Sequence, residues 1–206
     1  MRADGKTRSE VALHSRDGFG HLLFPAIDEV LRAAGLRLQD VDCFAGASGP
    51  GAFTGVRVDL AAVKGLAEAM GKPAVGVSNL RALSTFGHLQ NRAVVLDARR
   101  GEIFGAVYDS EARVVAPEIV MKFSAWLETL YLAEYVFISQ DWPPLRPAFA
   151  GTRFDGMTLV EATRHLAPAI AECAESDGHR GAWMDPSALD ANYVRRADAE
   201  FSWKDV

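Results

Sequence analysis

The sequence predicts an α/β protein of two lobes, and three observations carry that prediction. Short apolar runs alternate with stretches of helical spacing between residues 20 and 85, the pattern of strands joined by crossover helices. A break in the alternation falls at His88 to Arg92. Beyond it, Ala93 to Leu96 and Glu102 to Tyr108 flank a polar turn, which reads as a hairpin opening a second lobe. Residues 1–90 thus make the first lobe, and 91–206 the second with a C-terminal tail.

Residues 1 to 20 are polar, with one strand-like run at Val11-Ala12-Leu13. Leu23, Ile27, Val30, Leu31 and Ala34 then mark an amphipathic helix over 22–34, with Pro25 in its first turn and Gly35 as its stop. Val41 to Ala47 reads as a buried strand that runs into the turn Gly49-Pro50-Gly51. Thr54 stands where an N-cap belongs. Val56, Leu60, Val63, Ala67 and Met70 follow at steps of four, three, four and three, one face of a helix that Gly71 and Pro73 end. A second stripe, Val58, Ala62, Gly65 and Ala69, leaves only Arg57, Lys64 and Glu68 as a polar strip, with Asp59 helping the positive N-terminus. A helix apolar around most of its circumference is buried on two sides. One side meets a sheet; what covers the other is the functional question.

Ala74 to Val77 is the next strand, and Ser78 caps a helix reaching about Thr85. In the second lobe Asp97 to Gly101 and Asp109 to Ala112 are turns, and Arg113 to Val115 continues the meander. Ser124 caps a short helix carrying Trp126, Leu127 and Leu130. Tyr135 to Ile138 and Phe149 to Gly151 read as strands, separated by a rigid loop with Pro143, Pro144 and Pro147. Pro168 opens a helix through Cys173.

Composition narrows the function classes. The 206 residues are 49% hydrophobic and 24% charged, ordinary for a globular protein with a sizeable core. A net charge of −5 argues against a broad basic surface for nucleic acid. Cys43 and Cys173 are the only cysteines, lack metal-ligand spacing and fit a reducing compartment. No apolar stretch approaches the ~20 residues that span a bilayer, and the polar start has no signal-peptide core. A cytoplasmic protein is expected.

Gly49, Gly51, Thr54, Gly55 and Arg57 form a phosphate-loop candidate, since helix N-terminal N–H groups favour anions. The Gly-Lys-Ser/Thr core of a P-loop and the G-x-G-x-x-G fingerprint are both missing, so a structural strand-to-helix turn is the stronger reading. Asp97, with Arg99, Arg100 and Glu102 beside it, has no second carboxylate fixed by spacing for acid–base work. The five histidines include no H-x-x-x-H or H-E-x-x-H pair, and Ser48 is not in a G-x-S-x-G elbow. Tyr193-Val194-Arg195-Arg196 is too small a patch to argue RNA binding. No catalytic constellation and no metal set is found. The small-residue stripe reads either as packing against the chain's own first helix, 22–34, or as a protein interface. Both hold if Leu23, Ile27 and Val30 on that helix with Val58, Ala61, Ala62, Gly65 and Ala69 on the long one form half of a bundle completed by another protein, the reading preferred here.

Gly49-Pro50-Gly51-Ala52-Phe53-Thr54-Gly55-Val56-Arg57, with Leu60-Ala61 and Lys64-Gly65-Leu66-Ala67, resembles the signature of the TsaB family. Ala33-Ala34-Gly35-Leu36 with Leu38 and Asp40-Val41-Asp42 looks like that family's first helix exit and next strand. Leu96-Asp97-Ala98-Arg99-Arg100-Gly101-Glu102-Ile103-Phe104 looks like the hairpin of its second lobe, and Asn192-Tyr193-Val194-Arg195 with Asp198-Ala199-Glu200 like its C-terminal signature. The resemblance implies a two-lobed actin/Hsp70-like (ASKHA) fold with ribonuclease-H-like lobes. It implies a non-catalytic scaffold for threonylcarbamoylation of the adenosine next to the anticodon of ANN-decoding tRNAs. By the same resemblance the chain dimerises with the catalytic TsaD through helices of its first lobe, and the TsaE ATPase joins the complex. ATP and metal are then expected on the partner subunits, no cofactor on this chain, and tRNA contact only indirectly.

The family opens with a strand, an Asp-Thr-Ser turn and a second strand, and Met1 falls after that point. A first lobe truncated by one or two strands is therefore expected, and a start codon upstream of Met1 would restore them. An ATP-dependent or peptidase-like enzyme of the same superfamily, and a homodimeric structural protein using the same helix pair, stay open as alternatives.

Overall fold

The computed structural model describes residues 1–13, 15, 18, 20–131 and 134–195. In chain order the elements are β1 (Arg2–Ala3), β2 (Lys6–Thr7), α1 (Gly20–Ala33), β3 (Phe44–Gly49), α2 (Phe53–Met70), β4 (Ala74–Ser78) and α3 (Asn79–Ser84). There follow β5 (Arg92–Arg99), β6 (Glu102–Tyr108), β7 (Val114–Lys122), α4 (Phe123–Thr129), β8 (Val136–Ser139), β9 (Leu159–Glu161) and α5 (Ala167–His179). The chain divides into two compact units. Unit 1 gathers Met1–Ser48, Ala52–Val77 and His165–Ala191; unit 2 gathers Gly49–Gly51, Ser78–Arg164 and the chain from Asn192. Relative to the division near residue 90, Ser78 to Gln90 go with the second body because α3 packs on β5, β6 and β8. The stretch from His165 to Ala191 returns to the first.

Unit 1 pairs β3 with β4, and Met184 extends β4 through a bridge to Ala74. The α2 residues Val56, Leu60, Val63 and Ala67 are buried in one cluster with Phe44, Ala74 and Leu189. Gly71 ends α2 in the left-handed region at φ 61°, and the Lys72 N–H reaches back to the Ala67 carbonyl, a Schellman stop. Gly35 ends α1 the same way, at φ 69°. The strand-like run Val11-Ala12-Leu13 is not a strand; the N-terminal strands are β1 and β2, joined by Asp4 and Gly5 at positive φ, as a type I′ hairpin turn requires. Glu175 of α5 accepts the Gly5 N–H at 2.9 Å and pairs with Arg2 at 2.7 Å, so helix and hairpin are clamped together.

Pro25 lies inside α1 rather than in its first turn, because the helix starts at Gly20. It has no N–H for the His21 carbonyl one turn back, which a helix interior ordinarily needs. Thr54 does not cap α2 either: the helix begins at Phe53 and the cap position is Ala52, with no side-chain bond. Ser78 does cap α3, its hydroxyl accepting the N–H groups of Leu80 and Arg81.

Unit 2 is built on one five-stranded sheet in the order β7-β6-β5-β8-β9. The pairs β5–β6 and β6–β7 are antiparallel, while β5–β8 and β8–β9 are parallel. This is the ribonuclease-H-like arrangement that the resemblance implies. Ala93, Val95, Ile103, Val107 and Phe137 point to one face, where α4 brings Phe123, Trp126 and Leu127, and Phe149 and Phe154 close the cluster. The rings of Phe149 and Phe154 meet Phe137 edge-on at 5.0 and 5.3 Å. Strand alternation sends Val94, Ala106, Tyr108 and Ile138 to the opposite face, and all are buried. Residues Phe149 to Gly151 are no strand; a 3-10 turn over Arg146–Phe149 delivers the Phe149 ring instead. The last helix runs beyond Cys173 to His179. Asp198, Ala199 and Glu200 of the expected C-terminal signature lie outside the described residues.

Phe137 is fully buried at the centre of these ring contacts. Phe137→Ala should destabilise unit 2 by about 3–5 kcal/mol, measured as a lower urea midpoint followed by tryptophan fluorescence.

Candidate protein-interaction surface

The candidate surface is set by how closely α2 approaches β3. A Cβ on Gly46 would stand 2.8 Å from Val63 Cγ2 and 3.0 Å from Asp59 Oδ2, so only glycine lets the helix lie this near the strand. That approach draws Asp59 inward. It sits in the second turn of α2, too far along to serve the N-terminus, and its carboxylate accepts the Ala47 N–H at 2.5 Å.

With Val56, Leu60, Val63 and Ala67 facing inward, the second stripe faces out. Val58, Ala61, Gly65 and Ala69 are exposed and Ala62 is half-buried. A Cβ on Gly65 would meet nothing within 4 Å. Among the described residues, one apolar face of α2 is covered by unit 1 and the other is exposed. Leu23, Ile27 and Val30 of α1 are half-buried, so they share their surface between unit 1 and solvent.

Sequence reasoning missed the cleft that continues this surface. About 430 Å³ in volume, it is lined by Phe24, Ile27, Leu31, Leu36, Leu38 and Leu66. Phe24 is 57% exposed. The signal was present, since Phe24, Ile27 and Leu31 fall at helical spacing. At the rim Arg32 pairs with Asp28 at 2.6 Å, and Arg37 with Asp40 at 3.1 Å. These exposed pairs contribute little stability, but they leave the rim with paired charges around an apolar floor. A larger cleft, about 640 Å³, lies in unit 2 beside Leu127, Tyr131 and Phe154. None of the residues singled out for an interface lines it.

The remaining candidates are engaged elsewhere. Of the phosphate-loop residues, Gly49 is buried while Gly51, Thr54, Gly55 and Arg57 are exposed, and the Arg57 guanidinium lies 3.8 Å over the Phe53 ring. Asp97 accepts the Arg99 N–H at 2.8 Å and pairs with the Arg99 guanidinium, a local turn contact. Burial, and then the charge of Asp42, push the Cys43 thiol up to about 11, which leaves it protonated and a poor nucleophile at neutral pH. Among the described residues no three His, Cys, Asp or Glu side chains converge as a metal site. No described helix is long and apolar enough to cross a membrane.

Burial raises the Asp59 carboxyl above the ordinary carboxylate range, against the opposing bond from Ala47. A raised folded-state pKa means the folded protein binds that proton more tightly than the unfolded chain. The ionised group therefore costs stability at neutral pH, and stability falls as pH rises from about 4 through the folded-state pKa. Asp59→Asn keeps an acceptor for Ala47 without the charge. Its thermal midpoint should be no lower than wild type at pH 7 and should change less between about pH 4 and 7.

Known proteins are similar to this chain in sequence and in architecture. The protein-family model for TsaD, tRNA N6-adenosine threonylcarbamoyltransferase, matches residues 15–174. The tRNA threonylcarbamoyladenosine biosynthesis protein TsaB of Escherichia coli is 29% identical over 186 residues, 82% of this chain and 78% of that protein. The TsaB of Bacillus subtilis is 27% identical over 186 residues, 87% of this chain and 80% of its own length. Among solved structures, a Pseudomonas aeruginosa protein described as similar to the peptidase YeaZ superposes with a TM-score of 0.69 at 25% identity, covering 85% of this chain and 83% of that one.

Proposed function

Because the chain belongs to the TsaD family and, by its likeness to the TsaB proteins, to the TsaB group within it, we propose that it is a non-catalytic subunit that pairs with TsaD through the bare faces of α1 and α2. Its role is in tRNA threonylcarbamoyladenosine biosynthesis. The reaction itself, with its ATP and metal, is carried by the partner subunits, TsaE joins through the complex, and the work takes place in the cytoplasm.

The observation that carries this reading is the uncovered stripe Val58, Ala61, Gly65 and Ala69. Small side chains let a partner helix approach closely, and burying apolar surface drives association. The half-buried Leu23, Ile27 and Val30 flank the stripe's helix on α1, and the cleft ending at Phe24 offers a socket for an apolar anchor, the kind of site where binding energy concentrates. The accessory role is supported by where the one carboxylate weighed for acid–base work is engaged: Asp97 accepts the Arg99 N–H within its own turn.

The test is size-exclusion chromatography of the chain mixed with TsaD of the same organism. A 1:1 complex is expected. Gly65→Arg should weaken it by at least about tenfold, since a long charged side chain would stand in a close-packed core, while Gly65→Ala should retain it. A homodimer of the chain alone would compete for the same face and should dissolve as TsaD is added. No complex, or a complex indifferent to Gly65→Arg, would contradict the reading.

A further inference from the structure

One cluster of polar groups left unused by this reading lies in unit 2, around Glu118. The β6–β7 ladder slips between the pairs Gly105↔Ile119 and Val107↔Ala116, so Pro117 and Glu118 together stand opposite Ala106. A bulge of this kind re-aims a side chain out of the normal alternation. Here one Glu118 oxygen accepts the hydroxyls of Ser78 and of Tyr108, the latter at 2.7 Å, and the other oxygen accepts the Asn192 amide at 2.6 Å. Three residues on, the Arg195 guanidinium donates to the Ala98 carbonyl at 2.9 Å and to the Glu102 carboxylate, and lies 5.8 Å from the Phe104 ring centre.

Asn192 and Arg195 thus fasten the segment by their side chains, at Glu118 on β7 and at the foot of the β5–β6 hairpin. Among the described residues the segment joins no strand, and the Val194 N–H bonds to the Asn192 carbonyl inside it. The hairpin it grips is a demanding one: Arg99, Arg100 and Gly101 have φ of 67°, 58° and 75°. Left-handed conformations of non-glycine residues persist where the surroundings hold them, and Arg195 holds Ala98 and Glu102, the two residues that bracket this run.

We propose that residues 192–195 form a side-chain-latched strap that opens while the sheet beneath stays folded, and that its opening releases the tip of the β5–β6 hairpin. Segments held without a backbone ladder sit at the low-stability end of a fold and open independently of its core. Opening breaks the bonds to Glu118, Ala98 and Glu102, all of which can pass to water. It takes the Arg195 guanidinium away from the Phe104 ring and from the two residues that bracket the tip. The sheet loses no ladder bond.

Hydrogen exchange read by mass spectrometry on the full chain tests this. In the wild type, amides of 192–195 should exchange at least about a hundredfold faster than those of Val94, Val95 and Ala106, and their exchange should be insensitive to low urea. In Asn192→Ala/Arg195→Ala, amides from Arg99 to Glu102 should exchange faster by about tenfold or more, with the Val94 and Val95 rates unchanged. Equal rates and equal urea dependence for strap and sheet in the wild type would overturn the proposal without any variant. So would unchanged exchange at the hairpin tip in a double variant that is folded.

Discussion

Helix α2 carries more apolar surface than its own unit can cover, and most of the protein's architecture answers to that excess. Gly46 lets the helix press onto β3, which commits Val56, Leu60, Val63 and Ala67 to the core. Rotation of the helix is then fixed. The same rotation brings Asp59 under the helix to the Ala47 N–H and turns Val58, Ala61, Gly65 and Ala69 to solvent. An apolar stripe with a glycine at its centre is poorly suited to face water and well suited to face another helix.

The two units solve the problem of covering a sheet differently. Unit 2 closes both faces of five strands from within its own sequence, with aromatic rings around Phe137 on one side and α3 on the other. At one bulged position in it, Glu118 takes three hydrogen bonds at once. In unit 1 the described strands pair only two by two, and the α2 residues it leaves exposed include Val58, Ala61, Gly65 and Ala69 of the proposed interface.

Much of this was legible in the sequence, and the reasons for the exceptions are physical. The core face of α2, its stop at Gly71 and the Ser78 cap follow from spacing and from single-residue conformational preferences, which act locally. The hairpin of β5 and β6 is local too. The order of the five strands is not, because it depends on pairing between segments far apart in the chain, such as Val94 with Ile138. The start of α2 was misplaced because Thr54 has the right chemistry for a cap, but the helix begins one residue before it. Glu118 gave no signal at all. Its role comes from a register slip opposite Ala106 and from partners at Ser78 and Asn192 that only the fold brings near. Of the interface, the stripe on α2 was readable as periodicity, whereas the loop residues Leu36 and Leu38 join the cleft only through the path of the chain after α1.

The central claim is that the bare face of α2 is where TsaD binds. Single cysteines at Ala61 and Ala69, both exposed, and a control at Ser110, also exposed, permit a direct footprint in a Cys43→Ser/Cys173→Ser background. Alkylation of the thiols at 61 and 69 should slow by at least about tenfold when TsaD is added in excess, while the thiol at 110 keeps its rate. Equal rates at 61 and 69 with and without bound TsaD would contradict the account.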